Sequence, residues 1–161
     1  MNQKVNHVIM EYCWKYNKPG FEPYSWMVND LYRGIQAGEN YLVALGLFTY
    51  SEAVGRLILN TIDNNKIGAG LKAYKKFTKE YINYSFTEKE WKRLFDDVRN
   101  GLTHRYFIKN RFGTVFNEDE DGTRSCGIEF DKDKINIYIH SYFKHFVAGL
   151  EKYLDEINKN E

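Results

Sequence analysis

The chain has 161 residues, 43% of them hydrophobic and 28% charged, which fits one globular domain and excludes a disordered chain. Its formal net charge of +1 excludes a global basic field of the kind that draws a protein onto nucleic acid, so RNA binding would need a local patch. Cys13 and Cys126 have neither metal-ligand spacing nor a partner pattern and read as reduced thiols.

In chain order, Val5, Val8, Ile9, Tyr12 and Cys13 repeat at threes and fours, which predicts a first helix ending before Pro19-Gly20. Pro23 sits just inside a second helical piece, whose apolar stripe is Trp26, Met27, Leu31 and Ile35. Glu39 or Asn40 opens a long helix to about Ile62. Its stretch Tyr41 to Phe48 is apolar all round and predicts the most buried helix. Leu71, Tyr74, Phe77, Tyr81 and Ile82 carry the next amphipathic helix, with Lys72, Lys75, Lys76 and Lys79 on its other sides. Those lysines read first as a solvated face and second as the best local basic patch.

Thr87-Glu88-Lys89-Glu90 fits a capping box, with Phe86 and Trp91 spaced for a hydrophobic staple. Trp91, Leu94, Phe95, Val98 and Leu102 then form a buried stripe. After Tyr106 the period changes. Residues 111–116 read as extended, 117–124 as an acidic loop, and two alternating runs, Cys126/Ile128/Phe130 and Ile135/Ile137/Ile139, as a hairpin with room for a third strand. A final helix carries Phe143, Phe146, Val147, Leu150, Tyr153, Leu154 and Ile157. The expected fold is mostly α: an up-and-down bundle of about five helices in a single domain, 1–161, with a small β-hairpin insertion at 111–139 before the last helix.

Arg99-Asn100-Gly101-Leu102-Thr103-His104-Arg105-Tyr106 holds an Arg, four residues, a His, one residue and a Tyr, with Asn directly after the Arg. This segment resembles the nuclease motif of the HEPN superfamily, in the version with a trailing Tyr found in toxins that pair with a minimal nucleotidyltransferase antitoxin. The resemblance implies a helical bundle with the motif near the end of a late helix. It further implies a ribonuclease site, a homodimer around the motif, and a toxin or defence component with RNA as substrate and an antitoxin protein as partner. It also implies that Tyr106 accepts a silencing nucleotidyl group.

The residue types suit that chemistry. Metal-free RNA cleavage uses the 2′-hydroxyl as nucleophile and needs a proton carrier near neutral pH, the natural task of His104. Charge builds on the phosphoryl oxygens, and the Arg99 guanidinium can grip two of them at once. Asn100 can bond the phosphate or orient His104, and Tyr106 can stack a base. Taken singly, an Arg near a helix C-terminus also suits the helix dipole or a carboxylate such as Asp96 or Asp97, and a His after Gly101 also suits a helix end. Residues 99 and 104 lie about 140° apart on a continuous α-helix, so convergence requires the helix to kink or end near Gly101, or two chains to pool their motifs.

Elsewhere, Glu52 and Arg56 sit four apart in the most apolar helix, as a structural ion pair or the border of a groove. His140 and His145 are five apart without a nearby Cys, and Glu118 to Asp121 lack calcium-loop spacing, so no metal is expected. Gly68-x-Gly70 is too little for a phosphate loop, and no cofactor is expected. The start lacks a signal-peptide pattern and Tyr41 to Phe48 is short for a bilayer span, which predicts a cytoplasmic protein away from membranes. The functional expectation is a metal-independent endoribonuclease, a hydrolase using His104 and Arg99. The other reading is a non-catalytic HEPN-like nucleotide-binding or protein-interaction module.

Overall fold

The computed structural model describes residues 19–61, 68–105, 114–117, 119, 122–132 and 134–160. The first predicted helix, with Cys13, lies outside them, as do residues 111–113 of the predicted extended run. The elements are helices α1 (Glu22–Gln36), α2 (Asn40–Ile58), α3 (Ala69–Glu80) and α4 (Glu88–Arg93), a π-helical turn (Leu94–Arg99), α5 (Asn100–Arg105), strands β1 (Thr114–Asn117), β2 (Ile128–Asp131) and β3 (Lys134–Tyr138), and α6 (Ile139–Asn160). The mostly helical architecture with a small sheet before the last helix is the one expected.

Pro23 lies in the first turn of α1, where its missing N–H removes no helical bond. The stripe of α1 differs from expectation. Val28 and Leu31 are buried, whereas Trp26 is 65% exposed. Gly38 adopts φ +72°, a left-handed conformation that suits glycine, and turns the chain from α1 into α2. On α2 one face, from Val43, Ala44, Leu47 and Phe48 to Ser51, Glu52 and Val54, is buried, but Leu42 is 55% exposed. The helix is therefore not buried all round. A run of eight apolar residues fills a helix in every direction, while the bundle covers only part of its circumference. By length and composition α2 is apolar enough to cross a membrane, although the predicted apolar run within it is short for one; Val43, Ala44, Leu47, Phe48 and Val54 are buried in the bundle core.

Gly55 sets the spacing between α2 and α3. A Cβ there would fall 1.8 Å from the Ala73 carbonyl oxygen, so the two backbones touch. Inside this contact, Phe48 packs against the rings of Tyr74 and Tyr142, with centroids 5.4 and 5.7 Å away. The core also holds a line of hydroxyls. Ser51 Oγ lies 3.4 Å from Tyr142 Oη, which lies 2.8 Å from Tyr74 Oη, so α2, α6 and α3 share hydrogen bonds through the middle of the apolar interior. Burial pushes both tyrosine hydroxyls far above their ordinary pKa, so they stay neutral and bonded to one another.

The start of α4 forms as its residues dictate. Thr87 Oγ1 accepts from the Glu90 N–H at 3.3 Å, the Thr87 N–H donates to Glu90 Oε2 at 2.7 Å, and the Phe86 and Trp91 rings meet with centroids 4.7 Å apart. The stripe continues through Leu94, Phe95, Val98 and Leu102, all buried.

In the sheet the strand order is β1-β3-β2. The β2–β3 pair is the expected antiparallel hairpin, while β1 pairs with β3 in parallel, Thr114 opposite Ile135. β2 runs antiparallel to both and itself carries the chain back, so β1 and β3 lie side by side in parallel. Asp119 of the acidic loop has a structural role. The Asp119 carboxylate accepts from the backbone N–H groups of His140 and Ser141 at 3.0 and 3.2 Å, and from the Ser141 hydroxyl. A carboxylate there meets both the open N–H groups and the positive end of α6.

Candidate active site

Two helices from distant parts of the chain build the site. The face of α2 that carries Ser51 into the core carries Glu52 beside it, and Glu52 is 5% exposed. One turn on, Arg56 donates from Nε and Nη2 to Glu52 Oε1 at 3.0 and 2.9 Å. The predicted Glu52–Arg56 pair is therefore formed, in a two-pronged geometry.

The other oxygen is taken by the motif. Arg99 Nη2 lies 2.5 Å from Glu52 Oε2, as a close ion pair. A single buried carboxylate thus joins two guanidiniums, and residues read from the sequence as separate candidates belong to one site. The Arg99 guanidinium also sits 5.3 Å from the Phe95 ring centroid, and its Nη1 donates to Asn100 Oδ1 at 3.1 Å. Its carboxylate partner is Glu52, whereas Asp97 lies 3.9 Å from Arg93. Asn100 was expected to bond phosphate or orient His104. Its side-chain carbonyl accepts from Arg99 Nη1.

The backbone around the motif is a π turn followed by α-helix. The Asn100 N–H donates to Phe95 O, five residues back, closing the wide turn that ends at Arg99. From Asn100 to Arg105 the chain is α-helical without a break, so no kink occurs at Gly101. Positions 99 and 104 consequently stay about 140° apart around the axis. The side chain of His104 and the whole of Tyr106 lie outside the described residues.

A residue that the sequence offered for another role completes the site. Gly70 of α3 faces it, and a Cβ there would lie 2.8 Å from Glu52 Oε1 and 2.7 Å from Phe95 Cζ. The glycine first weighed as part of a phosphate loop instead leaves room for the acid and the ring that hold Arg99.

The chain matches no family model, no curated protein and no solved structure.

Other candidates find partners of their own. His145 Nδ1 bonds the Tyr84 hydroxyl at 2.9 Å, and burial lowers its pKa below the ordinary histidine value. His140 Nδ1 lies 3.8 Å from Asp119, which is committed to the start of α6. Cys126 is half-buried, its thiol donating to Ile128 O, and burial pushes its pKa up, away from thiolate chemistry. The lysine face of α3 is partly neutralised. Lys75 pairs with Glu88 at 2.6 Å and Lys76 with Glu80 at 2.7 Å, which favours the reading as a solvated face.

Proposed function

We propose that this protein is a metal-independent endoribonuclease of HEPN type, with His104 as general acid or base and Arg99 as the group that steadies the phosphoryl oxygens. The observation that supports this best is the holding of Arg99. Arg99 is held by a buried carboxylate from another helix and backed by an aromatic ring. A fixed guanidinium loses less freedom when it binds a phosphate, which is what transition-state stabilisation requires. The described part of the motif also lies on a late helix of a helical bundle, in keeping with the setting that the resemblance implies.

The test is cleavage of a panel of RNAs with and without chelator. Cleavage is expected to persist in EDTA, to leave cyclic phosphate ends, and to spare DNA of the same sequence, because the nucleophile is the 2′-hydroxyl. Loss of activity in EDTA, restored by magnesium or manganese, would point to a metal nuclease instead.

Assembly is part of the proposal. With positions 99 and 104 apart on one helix, a two-fold dimer that pools both motifs is the arrangement that unites Arg and His around one phosphate. Sedimentation at micromolar concentration is expected to report a dimer, and a monomer that still cleaves RNA would overturn this part. The toxin or defence role, an antitoxin partner and a cytoplasmic location belong to the same proposal. The second reading, a non-catalytic nucleotide-binding or interaction module, is favoured by the same 140° separation and by the paired lysines on α3.

A further inference from the structure

We infer that Glu52 is a positioning residue of the proposed ribonuclease site, aligning Arg99 for the phosphate from the neighbouring helix while Arg56 holds Glu52 in place. This rests on the ribonuclease reading of the motif and extends it to three residues outside the motif: Glu52, Arg56 and Gly70.

Arg56 occupies one carboxylate oxygen with two donors, which anchors that oxygen, and Arg99 on the other oxygen then sets the orientation of the group. Arg99 Nη2 meets that other oxygen at 2.5 Å. Phe95 lies against the guanidinium and Asn100 bonds Nη1, so Arg99 is restrained from three sides. Gly70 keeps the space in which this happens, because any side chain there would meet both Glu52 and Phe95. A buried carboxylate is costly unless paired, and here a single acid serves two cations from different turns of the fold. Side chains locked by a supporting shell are what a reacting site needs, since a misplacement of about 1 Å can cost on the order of 10²-fold in rate.

Three variants test this. Glu52→Gln keeps the shape and removes the charge. Gly70→Ala keeps every charge and displaces Glu52 Oε1 and Phe95. The double variant Glu52→Gln with Arg99→Lys asks whether the two residues act as one. The readouts are cleavage kinetics and the order of the Arg99 Nε–H bond by nitrogen-15 relaxation. In the wild type that bond is expected to be as rigid as the backbone. In Glu52→Gln it should loosen, with kcat lowered about 10²-fold, KM little changed, and no further loss in the Arg99→Lys background. Gly70→Ala should show the same split, and it carries the test if Glu52→Gln does not fold. A folded Glu52→Gln with wild-type kcat and a rigid Arg99 would overturn the inference. If the wild-type chain cuts no RNA, the ribonuclease reading fails instead. The Nε–H order then decides alone whether Glu52 holds Arg99, and an unchanged signal in Glu52→Gln rejects it.

Discussion

His104→Ala is expected to abolish RNA cleavage while leaving the fold nearly intact. Removing a general acid or base typically costs about 10² to 10⁴ in rate, more than a contaminant-free assay needs to register. The fold should survive because position 104 is not part of the stripe that packs the helix. Leu102 is buried, and two residues further along an α-helix the direction has turned by about 200°, to the far side. Arg99→Lys should be strongly impaired for a different reason. Lysine keeps the charge but presents a single ammonium, so it cannot grip phosphate with two parallel donors, and it loses the guanidinium that sits 5.3 Å from the Phe95 ring centroid. The measurement is wild type against both variants, purified identically, on the same RNAs. Equal cleavage by wild type and His104→Ala would reject the catalytic reading and leave the interaction module in its place.

Leu102→Ala should do the opposite, damaging the fold first. Leu102 is 1% exposed, and its backbone carbonyl accepts from the Tyr41 hydroxyl at 3.3 Å, so the residue ties α5 to the first turn of α2. Truncating a buried leucine costs about 2 to 5 kcal/mol, part lost transfer energy and part cavity. Urea unfolding is expected to show a lower midpoint with an unchanged slope. A loss under about 1 kcal/mol would mean that the helix end relaxes to close the gap. The contrast between positions 102 and 104 separates packing from chemistry within one turn.

Local chemistry was readable from the chain wherever neighbours in sequence decide the outcome. The capping box at Thr87, the staple between Phe86 and Trp91, the turn between β2 and β3 and the stripe of α6 all depend on residues within a few positions of each other. The union of Glu52 with Arg99 was not readable, because it depends on how α2 sits against the π turn, and no period encodes that. Counting oxygens would have helped. Arg56 occupies one oxygen of a buried carboxylate, and the other still needs a partner. The exposure of Trp26 and Leu42 escaped for a related reason. Hydrophobicity reports what a residue prefers, while the number of faces a bundle can cover is fixed by its neighbours. The π turn escaped because Trp91, Leu94, Phe95, Val98 and Leu102 fit an ordinary helical stripe, which hides a widened turn. The parallel β1 escaped because alternation marks a strand without giving its direction.

The chain of Ser51, Tyr142 and Tyr74 hydroxyls acts as a registration mark for the three helices that meet there. Hydrocarbon packs nearly as well after a helix slides by one turn, about 5.4 Å along its axis, because one leucine or phenylalanine can replace another. Hydroxyls do not permit the exchange. A slip of α6 by one turn would strand three polar groups in an apolar interior, at about 1 to 3 kcal/mol each, and would carry Glu52 and Ser51 on α2 out of step with the helices around them. The alignment of the largely buried Arg99 guanidinium is thereby tied to three oxygen atoms that never meet solvent.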